Sequence, residues 1–440
     1  MYSVGLYTLG CKVSQYETEA VAEEFARRGF AVRPFDERND VYVINTCTVT
    51  AESDRKSRQI IRRAIKKNAN AVTVVMGCYS QRAPDEVLKI DGVSYVIGTE
   101  NKMLAVDVAE RMLASKKGTD VAQISVTDVT KASFEPMTVT AGQRTRVYVK
   151  IEDGCESKCT YCAISGARGR VRSKKREDVI REVEALGRSG VAEVVLTGIE
   201  VASYGRDFDE KYSFIDLLSE LDERSSCERI RLGSLAPELI TDEFVERAAT
   251  LKTLVPHFHL SVQSGSDSVL RRMKRRYNRK MLLETVNKIR ERIPHATFTT
   301  DLMVGFPGET YDDFLETVKL VREVRFLDAH VFAYSKREGT PAAAYDGQIP
   351  EDEKHRRSEH LIKVKNEVRE CVLDEIVKSG EALSVIVETE NDDASFTSHS
   401  DTYVEVNVRA AKVKISQGML VWVTPVSHKD GVIYAELIEK

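Results

Sequence analysis

The chain has no long apolar run and no recognisable targeting segment. None of its hydrophobic stretches approaches the roughly 20 residues that a membrane-spanning helix needs, and the opening MYSVGLYTLG has neither a basic region nor a cleavage site. These absences argue against a membrane partner and predict a cytoplasmic protein. The 440 residues, 42% hydrophobic and 30% charged, are typical of soluble globular proteins with two or three domains.

The chain also has little net charge and few cysteines. Lys and Arg number 65 against 69 Asp and Glu, so the formal net charge is only −4, and a nucleic-acid partner must be recognised from local basic patches. Eight cysteines in a long cytoplasmic chain favour metal binding or catalysis over disulfides. Cys227 and Cys371 stand alone, and the other six form two sets of three.

The first set lies in residues 147–172, VYVKIEDGCESKCTYCAISGARGRVR. Cys155, Cys159 and Cys162 follow a β-branched run that predicts a strand, and Tyr161 directly precedes the last of them. Three thiolates in so short a loop must converge, and soft sulfur ligands suit an iron–sulfur cluster or zinc. A closed structural metal site has four protein ligands. Three protein ligands leave one coordination position of the metal or cluster open for a substrate or cofactor.

This spacing resembles that of the radical S-adenosylmethionine (SAM) enzymes. In that superfamily it holds a 4Fe-4S cluster whose fourth iron chelates SAM. The alternative is a zinc knuckle with a distant fourth ligand, for which His257 and His259 are candidates. These two histidines alternate in the run PHFHLSV, so the simpler interpretation is that they line one face of a β-strand.

The second set is spread over the first 80 residues. Cys11, Cys47 and Cys78 each end a buried-strand pattern, SVGLYTLGC, DVYVINTC and AVTVVMGC, and a helical stretch follows each one. Alternating strands and helices predict a parallel sheet, whose strands bring their carboxyl ends to one ligand-binding edge. We therefore expect the three cysteines to meet there; the alternative is three unrelated core cysteines.

The sequence around this second set of cysteines resembles the N-terminal domain of the methylthiotransferases, which carries a further three-cysteine 4Fe-4S cluster. GCKVSQYETEA, NTCTVT and GCYSQ are similar to the branch that methylthiolates N6-threonylcarbamoyladenosine in tRNA. Ser14 departs from that branch, which usually has Asn there. The resemblance implies two 4Fe-4S clusters, with SAM as both radical source and methyl donor. The implied reaction replaces the hydrogen on carbon 2 of the adenine at tRNA position 37 by a methylthio group. The N-terminal cluster would present the sulfur that is inserted. The implied partners are a tRNA anticodon stem-loop, an electron donor and a sulfur donor.

The middle of the chain repeats a strand–helix pattern. We expect an N-terminal domain over residues 1–118, a linker over 119–142 and a radical SAM core over 143–371. Six strand-like runs alternate with helices in the core, which favours a partial barrel over a complete eight-stranded one. Those runs are 146–151, 192–197, 229–235, 256–262, 296–304 and 328–334.

The ends of these predicted strands supply candidate SAM contacts, because barrel sites form at the carboxyl ends of strands. The resemblance assigns Thr197 and Gly198 to the SAM amino group. The remaining cofactor-binding candidates are Tyr161, Ser234, Gln263 and Gly305. The chain departs from the family pattern twice near this pocket, with Gly166 in place of proline and Glu200 where His is common.

Three basic clusters are candidates for contact with RNA phosphates. One occupies a helix near residues 55–67, one follows the first cysteine set at 168–176, and one surrounds Tyr277 at 271–280. A single run of basic residues is usually just a solvent-exposed part of the surface. Three such runs in one chain favour a surface that binds phosphates. Such binding should weaken steeply with salt.

The last segment, residues 372–440, has the pattern of a small all-β barrel. Its predicted strands are LSVIVETE, TYVEVNV, AKVKISQ, MLVWVTPV and GVIYAELIE, and the pattern resembles the TRAM domain of RNA-modifying enzymes. From Glu375 onward six basic residues face eleven acidic ones, and only Arg409, Lys412 and Lys414 form a basic strip. The domain therefore either binds RNA through a narrow edge or only braces the core.

The sequence thus predicts an α/β protein with an N-terminal parallel α/β sheet domain, a partial (βα)6 radical SAM barrel and a C-terminal β-barrel. The predicted activity is a tRNA methylthiotransferase acting on N6-threonylcarbamoyladenosine. Two alternatives stay open. One is another branch of the family, acting on isopentenyladenosine in tRNA or on a ribosomal-protein aspartate. The other is a non-catalytic, metal-containing RNA-binding protein, which would not cleave SAM.

Overall fold

A computed structural model describes residues 1–115, 123–140, 145–393, 395–409 and 415–438. Within these ranges no helix is both long enough and apolar enough to cross a membrane. The predicted run AKVKISQ falls mostly outside the described residues, together with Lys412 and Lys414.

The N-terminal part is a six-stranded parallel sheet in the order β2-β1-β3-β4-β5-β6. Its strands are β1 (Ser3–Thr8), β2 (Ala31–Arg33), β3 (Val41–Thr46), β4 (Val72–Gly77), β5 (Tyr95–Ile97) and β6 (Gln123–Ser125). Its helices are α1 (Lys12–Arg27), α2 (Ala51–Lys67), α3 (Cys78–Arg82), α4 (Pro84–Leu88) and α5 (Leu104–Ala114). Strands β3 and β4 are buried along their whole length because helices cover both faces.

The core begins after the predicted linker, part of which forms the edge strand β6. Its strands are β7 (Arg146–Lys150), β8 (Glu152–Asp153), β9 (Arg172–Ser173), β10 (Glu193–Thr197), β11 (Arg229–Leu232), β12 (Ser234–Leu235), β13 (His257–Gln263), β14 (Thr297–Val304) and β15 (Asp328–Ala333). Its helices are α6 (Ile164–Arg168), α7 (Arg176–Arg188), α8 (Phe214–Arg224), α9 (Asp242–Ala248), α10 (Asp267–Arg272), α11 (Arg279–Arg292), α12 (Tyr311–Val324) and α13 (Glu351–Ser379).

Six parallel strand positions make up the core sheet, as the sequence predicts. One sheet has the order β11-β10-β7 and the next has the order β12-β13-β14-β15. The predicted third strand breaks at Gly233, whose N–H donates to Leu196 O at 2.8 Å. A Cβ at this position would lie 3.0 Å from the same oxygen, so the close approach requires glycine. The break lets one curved wall pass from the first sheet to the second.

The C-terminal part is a closed five-stranded barrel, in agreement with the predicted class. Its strands are β16 (Leu383–Glu390), β17 (Ser395–Ser400), β18 (Glu405–Arg409), β19 (Leu420–Lys429) and β20 (Val432–Leu437). Strand β17, SFTSHS, was not among the predicted strands because its residues are mostly polar. Helix α13 runs through residues 371 and 372, the predicted limit between core and barrel, and that limit stays a prediction.

Candidate active site

Cys11 and Cys47 lie on the loops after β1 and β3, and Cys78 begins α3 directly after β4; the three strands are neighbours in the N-terminal sheet. A Cβ on Gly10 would lie 3.2 Å from Cys47 Cβ and 3.4 Å from Cys47 Sγ, so the first two loops touch. Gly10 has φ +115°, a conformation that side chains other than glycine rarely adopt. The structure therefore brings the three cysteines to one edge of the sheet.

The three N-terminal thiols also affect one another electrostatically. Burial raises the pKa of Cys47, and the charge of Cys11 raises it further. Burial likewise raises the pKa of Cys78 to about 11, with added repulsion from Cys47 and Cys11. Thiols in this state are protonated until a metal displaces the proton, and converging thiolates then become ligands of that metal.

The core trio lies between β8 and α6, and each of its sulfurs accepts an N–H. Ser157 N donates to Cys155 Sγ and Ile164 N to Cys162 Sγ, both at 3.4 Å. Arg275 Nη1 donates to Cys159 Sγ, also at 3.4 Å. Burial raises the pKa of Cys155 to about 11. N–H donors aimed at sulfur stabilise thiolate ligands and help to set the reduction potential of an iron–sulfur cluster.

Both trios consist of three free thiols, a donor set that suits an iron–sulfur cluster or zinc. Among the described residues, no three His, Cys, Asp or Glu side chains are packed closely enough to hold one metal ion. A single zinc would draw its sulfurs to within about 4 Å of one another, since each Zn–S bond is about 2.3 Å. A four-iron cluster is larger and spreads its ligands further apart. The two histidine candidates are also engaged elsewhere, because His257 Nε2 and His259 Nδ1 both lie 2.9 Å from Thr299 Oγ1.

A buried arginine connects the two trios. Arg168 belongs to α6, which directly follows the core trio, and its Nε donates to Cys78 Sγ of the N-terminal trio at 3.3 Å. Its Nη1 pairs with Glu17 at 2.7 Å and with Asp153 at 3.0 Å. Arg168, Glu17 and Asp153 are all buried. The ion pairs fix the position of the N-terminal domain relative to the core loop.

A cavity of about 440 Å³ opens between the N-terminal domain and the core strands. Cys11, Lys12 and Gln15 line one side, and the predicted SAM contacts Thr197, Gly198 and Ser234 line another. Three larger depressions lie elsewhere among the described residues, but none of these three is lined by any of the six trio cysteines. This cavity therefore joins a cysteine of one trio to the predicted cofactor pocket of the other.

Charged and polar groups line the deeper part of this cavity. They include His257, His259, Thr299, Asp301, His330 and Tyr403. Burial lowers the pKa of Lys12 to about 8, and the nearby charges of Arg231 and Arg146 add to the effect. Burial opposes ionisation of Asp301, but bonding from His259 and nearby positive charge hold its pKa below the usual range.

One residue of the C-terminal barrel, Tyr403, forms part of the cavity wall. Tyr403 stacks on His257 with ring centroids 4.4 Å apart, and the guanidinium of Arg231 lies 5.1 Å from its ring. Its φ of 70° lies in the left-handed region that most residues avoid. Arg231 also donates to Ser400 O at 3.1 Å and Asp401 O at 2.9 Å. Of the two roles left open for this domain, these contacts support bracing of the core.

Three predicted cofactor residues lie outside the cavity lining. Tyr161 packs against a small apolar cluster that includes Met273 and Phe306. Gln263 has φ 68°, and a Cβ on Gly305 would clash with the side chain of Lys354, so Gly305 is pressed against α13. The roles of these residues in binding SAM stay predictions.

The predicted phosphate-binding surface is smaller than expected. In the cluster at 168–176, Arg168, Arg172 and Lys174 are buried, and Lys174 pairs with Glu182, so only Arg170, Lys175 and the half-exposed Arg176 can contribute to a surface. In the cluster at 271–280, Arg275 points to Cys159, while Arg271, Lys274 and Arg276 are exposed. Helix α2 keeps a broad exposed basic face at Lys56, Arg62, Lys66 and Lys67.

Several residues of the site were not singled out from the sequence. Lys12 and Gln15 belong to the quoted GCKVSQYETEA motif, and their position beside Cys11 was the available signal. Asp301 and His330 lie on core strands and alternate with buried residues, which could have marked them as facing the barrel interior. The link from Arg168 to Cys78 spans 90 residues and leaves no local signal.

Family models match two parts of the chain. A model described as the radical SAM superfamily matches residues 149–321, and one described as uncharacterized protein family UPF0004 matches residues 3–98. The first region contains the core trio and the second contains the N-terminal trio.

Whole-chain relatives match over nearly the full length. Threonylcarbamoyladenosine tRNA methylthiotransferase MtaB of Bacillus subtilis is 40% identical over 92% of this chain and 90% of its own. The MtaB of Thermotoga maritima is 38% identical over 82% of this chain and 81% of its own. The tRNA-2-methylthio-N(6)-dimethylallyladenosine synthase of Clostridium tetani is 34% identical, over 93% and 91%.

Among solved structures, the radical SAM methyltransferase TsrM from Kitasatospora setae resembles this fold with a TM-score of 0.55. The two are 18% identical, and the match covers 78% of this chain and 77% of that one. At that identity the likeness shows the fold alone.

Proposed function

This chain belongs to the radical SAM methylthiotransferase family, and we propose that it methylthiolates carbon 2 of N6-threonylcarbamoyladenosine at tRNA position 37. The observation that carries the proposal is the shared cavity, with Cys11 on one side and Thr197, Gly198 and Ser234 on the other. An adenine ring placed there is accessible from both sides at once. One enzyme with two metal-binding trios needs that arrangement to activate a carbon and deliver sulfur to it.

Membership of the family implies a 4Fe-4S cluster and SAM. The finer proposal is two clusters, one on Cys155, Cys159 and Cys162 and one on Cys11, Cys47 and Cys78. When bound, these groups and SAM supply the radical that activates the carbon, the inserted sulfur and the methyl group. Each trio would leave one iron without a protein ligand, since three thiolates cannot complete four positions.

The chain's own residues bind and position the reacting groups. Thr197 and Gly198 would hold the SAM amino group at the end of β10, and Ser234 would contact the cofactor from β12. The donors Ser157 N, Ile164 N and Arg275 would steady the core thiolates, while Arg168 would do the same for Cys78. Lys12 and Gln15 of helix α1 and Tyr403 of the C-terminal barrel form part of the cavity wall.

The choice of substrate within the family rests on the relatives and on the cavity. The three MtaB proteins are 35% to 40% identical to this chain, and the dimethylallyladenosine synthases are 34% to 35% identical. The lining contains charged and polar side chains, among them Lys12, Gln15 and Thr299, that can pair with the polar groups of a threonylcarbamoyl substituent, which a dimethylallyl group lacks. The remaining partners in the proposal are the anticodon stem-loop, an electron donor and a sulfur donor in the cytoplasm.

Incubation with defined tRNA tests the substrate. Anaerobically reconstituted enzyme, SAM and a reductant would be mixed with tRNA from a strain that lacks isopentenyladenosine and, separately, from one that lacks threonylcarbamoyladenosine. Mass spectrometry of nucleosides should show methylthio addition only where threonylcarbamoyladenosine is present. A Cys155→Ala variant gives the background. Methylthio addition confined to isopentenyladenosine, or none to threonylcarbamoylated tRNA, would overturn the proposal.

A further inference from the structure

We propose that Lys12 binds the carboxylate of the threonylcarbamoyl group and thereby selects the modified adenosine. This inference rests on the proposed function and deepens it, because it names the residue that recognises the substrate's anionic group. The residue lies at the first position of α1, directly after Cys11, and lines the shared cavity.

The side chain of Lys12 faces the interior of the core barrel. The charges that act on it belong to Arg231, Arg146, Glu193 and Asp301, which stand on four different core strands. Within the described residues its ammonium group makes no hydrogen bond and no ion pair. Lys12 is half-buried and borders the cavity, so an anion that enters the cavity can reach its ammonium group and supply the partner it lacks.

The acids near Lys12 already have closer partners. Glu193 pairs with Arg231 at 2.6 Å, and Asp301 lies 3.4 Å from His259 Nε2. Asp328, at another edge of the cavity, pairs with Lys365 at 2.5 Å. The remaining arginine, Arg146, pairs with Glu388 at 2.9 Å. In the part of the chain that the structure describes, Lys12 thus has no ion-pair partner, whereas Arg231 and Arg146 beside it are each paired with a glutamate.

The position of Lys12 matches where the substituent on N6 must extend. The adenine has to lie between Cys11 and the predicted SAM contacts, so its substituent reaches either the deeper cavity or solvent. Lys12, Gln15 and Thr299 all line this cavity and offer a charge, an amide and a hydroxyl. A threonylcarbamoyl group has a carboxylate, a hydroxyl and a carbamoyl to match, whereas a dimethylallyl group would leave Lys12 unpaired.

SAM also carries a carboxylate, so the experiment must separate the two sources of this chemistry. The full-length, reconstituted enzyme would be titrated with three anticodon stem-loop RNAs and, separately, with SAM. The RNAs carry threonylcarbamoyladenosine, its carboxylate methyl ester, or unmodified adenosine at position 37. Fluorescence anisotropy at fixed salt gives the RNA Kd, and equilibrium dialysis gives the SAM Kd.

The wild-type enzyme should bind the carboxylate RNA about tenfold to a hundredfold more tightly than the ester or unmodified RNA, as expected for a charged hydrogen bond. Lys12→Met should remove most of that preference and leave the affinities for unmodified RNA and SAM unchanged. Lys12→Arg should retain part of the preference. Lys89→Met, which removes an exposed lysine of the same domain, is the matched control.

The outcomes separate the inference from the function it rests on. Equal wild-type affinity for modified and unmodified RNA would overturn the proposed substrate and the inference together. A preference that persists with the ester, or in Lys12→Met, would overturn the inference alone. Loss of SAM binding in Lys12→Met would assign the residue to the SAM carboxylate and overturn it too. The ester comparison uses only wild-type protein, so a preference that persists with the ester overturns the inference even if Lys12→Met fails to fold; in that case Lys12→Arg tests the assignment to Lys12.

Discussion

Replacement of Glu17 by Gln should loosen the packing of the N-terminal domain against the core. Glu17 is fully buried on α1 and lies 2.7 Å from Arg168, 2.8 Å from Lys150 and 3.2 Å from Lys102. Gln keeps the shape but removes the charge, which leaves a surplus positive charge among these three cations. Breaking a buried ion pair in this way costs about 3–5 kcal/mol.

Hydrogen exchange measures that cost locally. Amides of α1 should exchange about 10²- to 4 × 10³-fold faster in Glu17→Gln at pH 7, since each 1.4 kcal/mol is a factor of ten. Glu24→Gln on the same helix is the control, because Glu24 pairs with Arg27 and Arg28 at the solvent-exposed surface and should matter far less. Unchanged exchange of α1 in Glu17→Gln would refute the reasoning.

The pH dependence of this difference follows from the pKa of Glu17. Burial opposes its ionisation, but Arg168, Lys102 and Lys150 outweigh burial and hold the pKa of Glu17 well below its usual range. A carboxyl with a depressed folded pKa stabilises the protein above its unfolded pKa of about 4.3, and that stabilisation is lost as pH falls through the folded value. The gap between wild type and Glu17→Gln should therefore be full at pH 7 and shrink below about pH 4.

Two further predictions concern Tyr403 of the C-terminal barrel and the basic face of α2 in the N-terminal domain. Tyr403→Ala should cost about 3 kcal/mol of stability and expose residues 380–382 to protease, because the ring packs on His257 and Arg231, whereas Tyr403→Phe should behave as wild type. Stability of Tyr403→Ala equal to wild type would contradict the bracing role. Changing Lys56, Arg62, Lys66 and Lys67 on α2 to Gln should weaken RNA binding and lower the slope of log affinity against log salt by about 0.7–0.9 for each phosphate that is no longer neutralised. Lys363→Gln on α13 should leave that slope unchanged, and an unaltered slope in the α2 variant would exclude α2 from the RNA surface.

Local patterns were enough to predict the architecture. The runs VYVINT and VTVVMG are apolar on both faces, which is the mark of a central parallel strand, and β3 and β4 are buried throughout. The six strand-like runs of the core were predicted from the same kind of apolar pattern, and strands lie in all six. Strand β17 was missed because SFTSHS is polar, and its place in a barrel depends on pairing with β16 and β18 rather than on its own hydrophobicity.

The charges were harder to interpret from sequence, because their partners are distant along the chain. Arg168, Arg172 and Lys174 form a basic run that resembles a solvated or RNA-binding face. In the structure all three are buried and paired with acids. Arg168 pairs with Glu17 of α1 and Lys174 with Glu182 of α7, while Arg172 lies 3.6 Å from Glu100 and from Asp153. Lys12 likewise lines the cavity only because α1 packs against the core strands, and that packing could not be predicted from the local sequence.

Iron and acid-labile sulfide analysis of anaerobically prepared protein tests most directly whether the chain holds two open clusters. The account predicts about eight irons and eight sulfides per chain, that is, two four-iron clusters. Changing Cys11, Cys47 and Cys78 to Ala should leave about four irons, and so should changing Cys155, Cys159 and Cys162. About four irons in the unaltered protein, or one or two zinc ions in place of iron, would contradict it.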